Sequence, residues 1–410
     1  MQNFDNPVKR YKAQIAGFKR ARRFIDYSHS FDFARELESF LYSIQAEITN
    51  PESGLGLTVA FYKCDDAIIE RCDDSNGDIG DVFRFTACDL FVDYAVRCQD
   101  KEFLLGILCD LFDRDNYSLR GEVIDKAYQF LPDELLRRLA DRFWQSSLKE
   151  SKDSSEHCYL LIGVKSLARQ LKDAPLYEKA CKAYWGKLPT IAHYNIAEIY
   201  LESGDAKTAL DWIEHIPESE RYRADKRNEL LLVIYEKLGY REKLSEIAWR
   251  VFRDYRSAET LATLLTAIGP EKRDQVVDNE TRLILGTKEL SYSDCQFLIE
   301  VRRMEDAETY LLDRAAQLDG QFYPTLLDLA NSMEKDKRLI AATVIYRALL
   351  DSILMRAISK YYYHGIRYLK KLDKLAEGIG DWRDVQDHLE FKAELLKVHA
   401  RKTSFWGKYK

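Results

Sequence analysis

The sequence predicts an all-α chain, an α-solenoid built from short helical hairpins. Apolar residues recur at steps of three and four along nearly every long segment, which is the period of an amphipathic helix. The 410 residues include only 8 prolines and 18 glycines, fewer than turn-rich β architectures use. The alternation of apolar and polar residues that is typical of a half-buried strand does not stand out in any segment.

Residues 1–150 are predicted to form an N-terminal helical unit. One apolar stripe runs from Phe33 to Ile48, and a second runs from Phe83 to Cys98. The polar, serine-rich stretch 145–157 marks a change in composition. It either links this unit to the next one or is a helix end and a loop inside one continuous solenoid.

The acidic stretch IIERCDDSNGDIGDVFR, residues 68–84, separates the two stripes. A calcium loop of the EF-hand type needs a glycine at its sixth position and a glutamate at its twelfth, and neither possible register supplies them. A phosphate loop is excluded because no Gly-Lys-Ser/Thr follows. We therefore expect Asn76-Gly77 to turn the chain and Asp78 or Asp81 to cap a helix that begins near Val82. The alternative is a cation site or a partner site of an unrecognised kind. The four carboxylates of this acidic turn are Asp73, Asp74, Asp78 and Asp81.

Residues 151–350 are predicted to contain tetratricopeptide-like helical repeats. In HYNIAEIYLESGDAKTALDWI, Tyr200, Gly204 and Ala209 fall at the spacing of one such unit. Tyr235 and Gly239 repeat Tyr200 and Gly204 thirty-five residues later. Such hairpins stack because one hairpin cannot bury its own apolar face.

Residues 351–410 are predicted to form a C-terminal helical hairpin with a basic, aromatic tail. Gly378 is expected to end the first helix and Asp381 to cap the second, which would carry Trp382 and Val385. An aromatic ring that stays in water loses the favourable free energy of burying its apolar surface. We therefore expect the tail to dock, either on this chain's own helices or on a partner. The residues concerned are Arg401, Lys402, Phe405, Trp406 and Tyr409.

Charge is spread unevenly along a chain whose overall net charge is −6. Both ends are basic and the residues between them are acidic. The N-terminal basic patch interleaves its cations with apolar and aromatic side chains. It is expected to contact an acidic partner, a nucleic acid, an anionic membrane surface or the acidic body of the same chain. It consists of Lys9, Arg10, Lys12, Lys19, Arg20, Arg22 and Arg23.

The acidic turn ERCDDSNGDIGDVFR and the tail KAELLKVHARKTSFWGKYK resemble those of an uncharacterised bacterial family, a domain of unknown function. The C-terminal part of that family is similar to regions of bacterial proteins that bear a SWIM-type zinc finger. The resemblance implies an α-helical repeat protein and implies no activity. A SWIM finger needs a Cys-x-Cys pair followed by Cys-x-His, and this sequence has neither, so a role for zinc does not carry over.

Several function classes are disfavoured by the residues alone. The longest uncharged stretch has 11 residues, too short to span a bilayer, and no secretory apolar core opens the chain. We therefore expect a cytoplasmic protein that is not inserted into a membrane. The 8 cysteines include no closely spaced pair, so a structural zinc site has no local pair of ligands to build on. No metal site and no cofactor are predicted.

Three functions remain after these exclusions. The first is a non-catalytic scaffold that binds another protein or itself along its stacked hairpins. The second is a nucleic-acid-associated accessory protein that uses the basic ends. The third is a hydrolase that uses the acidic turn 73–81. Because no reaction centre can be assembled from the residues, the sequence favours the scaffold and leaves catalysis undecided.

Overall fold

A computed structural model describes residues 6–113, 115–217 and 219–409, and these are helical apart from turns and loops. The all-α prediction is therefore confirmed. The one β pairing within these ranges is an isolated parallel bridge between Ile25 and Cys72. The chain divides into two compact units, Met1–Leu230 and Leu231–Lys410. The predicted segments that end at residues 150 and 350 stay a prediction.

Unit 1 contains fourteen α-helices in its described part, the last of which crosses the division between the units. They are α1 (Pro7–Arg20), α2 (Tyr27–Glu47), α3 (Pro51–Tyr62), α4 (Asp65–Ile69), α5 (Asp78–Asp81), α6 (Cys88–Arg97), α7 (Lys101–Phe112), α8 (Gly121–Asp125), α9 (Asp133–Ser147), α10 (Ser155–Gln170), α11 (Ala174–Trp185), α12 (Thr190–Glu202), α13 (Ala206–Glu214) and α14 (Ala224–Leu238). A π-helix (Val82–Ala87) joins α5 to α6, and a 3-10 turn (Ala127–Gln129) follows α8.

Unit 2 contains the remaining helices of the described chain. They are α15 (Arg241–Asp254), α16 (Ala258–Ile268), α17 (Arg273–Gly286), α18 (Tyr292–Glu300), α19 (Met304–Asp313), α20 (Tyr323–Lys335), α21 (Leu339–Arg356), α22 (Tyr362–Ala376), α23 (His388–Val398) and α24 (Thr403–Tyr409). Short 3-10 turns occupy Pro270–Lys272, Ala315–Gln317 and Ser359–Tyr361.

Many helices begin where the sequence supplies a capping side chain. At these starts a side-chain oxygen accepts a hydrogen bond from a backbone N–H of the first turn, which satisfies a donor that the helix itself leaves open. The capping residues of this kind in unit 1 are Asn6, Asp26, Asn50, Asp100, Ser154, Asp173 and Asp205.

Stacked aromatic rings form much of the core of unit 1. The rings of Phe61 and Phe83 stack with their centroids 4.8 Å apart. Phe112 stacks against both Phe143 and Tyr159, with 4.2 Å between centroids in each pair. Burial of each such ring contributes about 1.5–3 kcal/mol to the free energy of unfolding. Contacts between rings of different helices therefore stabilise the packing of these short helices.

The π-helix coincides with a hydrogen bond that enters the helix from outside. The buried hydroxyl of Tyr62 donates to the carbonyl of Phe83 at 3.0 Å. A side chain that takes a carbonyl out of the regular ladder is one recognised cause of a local irregularity in a helix. The extra residue of the π-helix leaves Phe83 buried while Phe85 is half exposed.

The serine-rich stretch 145–157 is a helix end followed by a loop and a helix start, all within unit 1. Helices α9 and α10 pack against each other across it. The ring Nδ1 of His157 lies 2.8 Å from the carbonyl oxygen of Ser147, which fastens the start of α10 to the end of α9.

The C-terminal hairpin differs from its prediction at the start of the second helix. That helix begins at His388, and Asp387 caps it by accepting from the amide of Glu390 at 2.9 Å. The predicted cap, Asp381, accepts instead from the amide of Arg383 at 2.9 Å and stabilises a turn. Residues 382–387, including Trp382, therefore lie outside the helices.

In each unit a buried arginine donates hydrogen bonds to backbone carbonyl oxygens at the ends of helices. In unit 1, Arg120 donates to the carbonyls of Tyr62 and Leu111 and forms an ion pair with Asp65, with 2.5 Å between Nη2 and Oδ2. In unit 2, Arg314 donates to the carbonyls of Leu285, Thr287 and Tyr310. Both arginines are nearly inaccessible. They supply donors to carbonyls that a helix cannot satisfy at its C-terminal end.

No helix of the described chain is both long enough and apolar enough to cross a membrane. All eight cysteines are free, and six of them are buried, namely Cys64, Cys88, Cys98, Cys109, Cys181 and Cys295. Free cysteine in such positions packs as a small apolar residue.

We expect Arg120→Met to lower the free energy of unfolding of unit 1 by about 3–5 kcal/mol. The substitution leaves the Asp65 carboxylate buried without its counter-ion and two carbonyls without a donor. Chemical denaturation of the variant and the parent chain measures the difference.

The double variant Arg120→Met/Asp65→Leu should recover part of that loss, because replacing a whole buried ion pair by apolar side chains is often close to neutral. The matched control is Arg138→Met, which removes the exposed partner of Glu102. Its effect should stay below about 1 kcal/mol. Equal losses for Arg120→Met and Arg138→Met would contradict the role given to Arg120.

Candidate functional site

The predicted basic patch lies on α1 and on the segment that joins α1 to α2. Tyr11 and Ile15 are the buried residues of α1. Most of the cations therefore lie on the exposed side of this helix. Arg10 is an exception, because it forms an ion pair with Glu47 and lies over the ring of Tyr11. The other six are exposed and form no ion pair with a described residue: Lys9, Lys12, Lys19, Arg20, Arg22 and Arg23.

Exposed aromatic rings follow directly after these cations. Phe24 is 61% exposed, Tyr27 is 60% exposed and Phe31 is 56% exposed. Tyr27 and Phe31 are four residues apart on α2 and so share a face of that helix. The side chains of Lys19, Arg20, Arg22, Arg23, Phe24, Tyr27 and Phe31 are together named the basic-aromatic surface.

The structure brings the basic segment and the acidic turn together. The amide of Ile25 donates to the carbonyl of Arg71 at 2.9 Å, and the amide of Asp73 donates to the carbonyl of Ile25 at 2.8 Å. The guanidinium of Arg71 also donates to the carbonyl of Arg23 at 3.3 Å. This pairing is the isolated bridge between Ile25 and Cys72. Two clusters that lie about fifty residues apart in sequence thus share one edge of unit 1.

Within the acidic turn, Asp74 performs the capping that the sequence assigned to Asp78 or Asp81. Its two oxygens accept from the amides of Ile79 at 2.8 Å and Gly80 at 2.9 Å. The helix begins at Asp78, earlier than predicted, so Asp78 and Asp81 belong to its first turn. The prediction of these two residues as caps is therefore wrong.

Gly77 makes the turn possible, because its φ of +81° lies in the left-handed region that other residues seldom adopt. Asp73 accepts from Ser75, and Asp78 accepts from Asn76. No group of three or more His, Cys, Asp or Glu side chains in the described ranges is arranged to hold a metal ion. The hydrogen bonds of this turn are those of a loop that fixes its own backbone.

The aromatic side chains of the tail pack on helices of unit 2. Phe405 is fully buried, with its ring centroid 5.6 Å from that of Tyr362. A Cβ added at Gly365 would lie 3.1 Å from Cε2 of Phe405, so glycine there lets α24 approach α22 closely. The indole N–H of Trp406 donates to the carbonyl of His399 at 2.9 Å. Among the predicted tail residues, Arg401 is exposed and Lys402 is half-buried.

A polar cluster that the sequence did not reveal holds Tyr409. Asp373 on α22 contacts the Tyr409 hydroxyl and also lies 2.8 Å from His388 Nε2 and 2.8 Å from Lys392 Nζ. Burial acts to raise the pKa of Asp373, but the hydrogen bonds from Lys392, Tyr409 and His388 lower it below its usual value. The residues come from three helices, so no local spacing could have indicated the cluster.

We expect Asp74→Ala to lower the free energy of unfolding of unit 1 by about 1–2 kcal/mol, because two amides at the start of α5 lose their acceptor. Thermal denaturation checks this value. Asp81→Ala serves as the matched control, since Asp81 is exposed and its ion pair is with the half-exposed Arg84, and its effect should be within about 0.5 kcal/mol. A smaller loss for Asp74→Ala than for Asp81→Ala would refute the assigned cap.

We also expect Phe405→Ala to destabilise unit 2 by about 3–5 kcal/mol, the usual effect of removing a fully buried ring. Tyr363→Ala removes a ring on α22 that is 64% exposed, and it should change stability by less than about 0.5 kcal/mol. Denaturant titration of both variants measures the two losses in free energy of unfolding. If the two losses were equal, the tail would contribute no core to unit 2.

Comparison with known proteins adds one finding. A family model described as a family of unknown function (DUF6880) matches residues 7–174 and 148–408. No curated protein and no solved structure matches the chain. The similarity of the C-terminal part to SWIM-bearing proteins stays a prediction. The two matched ranges together cover nearly the whole sequence, so this chain belongs to the family of unknown function DUF6880.

Proposed function

We propose that this chain is a non-catalytic α-helical scaffold that binds an acidic segment of a partner protein on its basic-aromatic surface. The observation that carries the proposal is a run of exposed cations that leads directly into three exposed rings. These cations form no ion pair with any residue that the structure describes. Aromatic and arginine side chains are the residues that most often dominate the binding energy of protein interfaces. An acidic segment with an apolar side chain would complement both parts of this surface.

A nucleic acid is the second candidate for the same surface, since cations and stacking rings also bind single strands. Helix α1 has 14 residues and is about 21 Å long, and the acidic turn adjoins the segment that follows it. Its carboxylates would repel an extended polyanion. A short acidic peptide fits beside them more easily, which favours the protein partner.

The remaining part of the proposal is architectural. Gly204 and Gly239, thirty-five residues apart, both have positive φ angles directly after helices α12 and α14. This local agreement supports the tetratricopeptide-like hairpins and the solenoid that we propose for the middle of the chain. All eight cysteines are free thiols, and this supports a cytoplasmic location because thiols stay reduced there. The hydrolase hypothesis has less support, because the oxygens of Asp74 are occupied by backbone amides.

The test uses the full chain and two fluorescent probes, a short glutamate-rich peptide with a central tryptophan and an oligothymidylate of equal charge. Anisotropy should show that the peptide binds more tightly than the oligonucleotide. Substituting Arg20, Arg22 and Arg23 together by Gln should weaken peptide binding about tenfold, and Phe24→Ala should weaken it further.

The matched control replaces Lys149, Lys152 and Lys187 by Gln, which changes the net charge equally at exposed positions elsewhere in unit 1. It should leave the affinity within about twofold of the parent chain. Tighter binding of the oligonucleotide would replace the scaffold proposal by the nucleic-acid one. Absence of binding to both probes, or an equal effect of the control, would overturn both; light scattering would then test self-association.

A further inference from the structure

A cavity of about 280 Å³ in unit 2 is walled largely by aromatic side chains. Leu349 and Ile353 of α21 form its apolar floor. The walls come from the start of α20, from α22 and from the residue that precedes α22. They are Tyr323, Tyr361, His364 and Tyr368, and this tyrosine pocket is independent of the surface discussed above.

The hydroxyl of Tyr368 has no partner within the described chain. The residue is only 9% exposed, and its ring packs 5.8 Å from that of Tyr346. Tyr346 donates its hydroxyl to Glu334 at 2.8 Å, whereas no described residue bonds to the Tyr368 hydroxyl. Because Tyr368 lines the pocket, its hydroxyl is free to bond to a ligand bound there.

The charge at the pocket is positive. Arg356 is part of the lining, and it is exposed and forms no ion pair with any described residue. Lys360 lies nearby, with Nζ 4.9 Å from the centroid of the Tyr361 ring. No Asp or Glu is among the lining residues. The pocket therefore attracts an anion and offers it no competing carboxylate.

A larger cavity beside it provides a contrast. It has a volume of about 620 Å³ and shares Gly320 and Arg356 with the tyrosine pocket. Its lining includes Asp319 and Asp351, which oppose an anion. It is also open and lacks aromatic side chains. Of these two cavities, the smaller one combines the features that select an aromatic, negatively charged ligand.

We propose that the tyrosine pocket is a binding site for a small aromatic anion, a planar ring that carries a carboxylate or a phosphate. The ring would lie against Tyr323 and Tyr361 over the apolar floor, with offset or edge-to-face contacts. The anionic group would pair with Arg356 at the mouth, and a polar atom of the ligand would bond to the Tyr368 hydroxyl. The volume is just below the range typical of drug-sized sites, so it suits a ligand of one or two rings.

The experiment measures binding to the full chain by calorimetry and by ligand-observed saturation-transfer NMR. The probes are indole-3-acetate and 4-hydroxybenzoate, with tryptamine as the cationic counterpart of the first. We expect both anions to bind and tryptamine to bind at least about tenfold more weakly. Failure of both anions to bind, or equal affinity for indole-3-acetate and tryptamine, overturns the proposal.

Two pairs of variants locate the site. Arg356→Gln should weaken indole-3-acetate about tenfold, and Tyr368→Phe should weaken it about threefold to tenfold while keeping the ring in place. Their matched controls are Lys370→Gln and Tyr363→Phe, at exposed positions of α22 that lie outside the pocket lining. The controls should leave affinity unchanged. Unchanged affinity in Arg356→Gln, or equal losses in a variant and its control, would show that the anion binds elsewhere.

Discussion

The unsatisfied carbonyl oxygens at the ends of short helices are the constraint on which this fold depends. A helix leaves its last carbonyls without internal donors, and a chain of many short helices multiplies that requirement. Arg120 and Arg314 meet it in the interiors of the two units, each with donors to carbonyls of more than one helix. Asp65 balances the charge of Arg120. Arg314 instead lies 4.0 Å from the ring centroid of Tyr310, and a π-face of this kind attracts a cation.

Periodicity in the sequence was sufficient to predict the helices, because each helix repeats its apolar positions locally. The helix containing Phe33 and Leu37 buries both residues as its stripe indicates. The cap of α5 was not predictable in the same way. Asp74, Asp78 and Asp81 are chemically equivalent in sequence, and only the path of the turn brings Asp74 within reach of two amides.

Sites built from distant segments lay beyond what sequence patterns can indicate. The basic segment and the acidic turn were each visible as charge runs, but their pairing through Ile25 and Cys72 is a long-range contact. The tyrosine pocket takes Tyr323 from one helix and Tyr368 from another. Each of these tyrosines alone is typical of an ordinary core or surface position. The structure shows that both line one cavity, which their spacing in the sequence does not indicate.

The π-helix at Val82–Ala87 has a consequence for how this chain tolerates changes in length. One residue turns an α-helix by about 100°, so a deletion inside a regular helix rotates every later apolar side chain away from its packing partners. A π-turn already contains one residue more than an α-turn. Deleting a residue there would convert it to α-geometry and leave the faces of α5 and α6 in register. This segment is therefore a natural point of indel tolerance in an otherwise length-sensitive core.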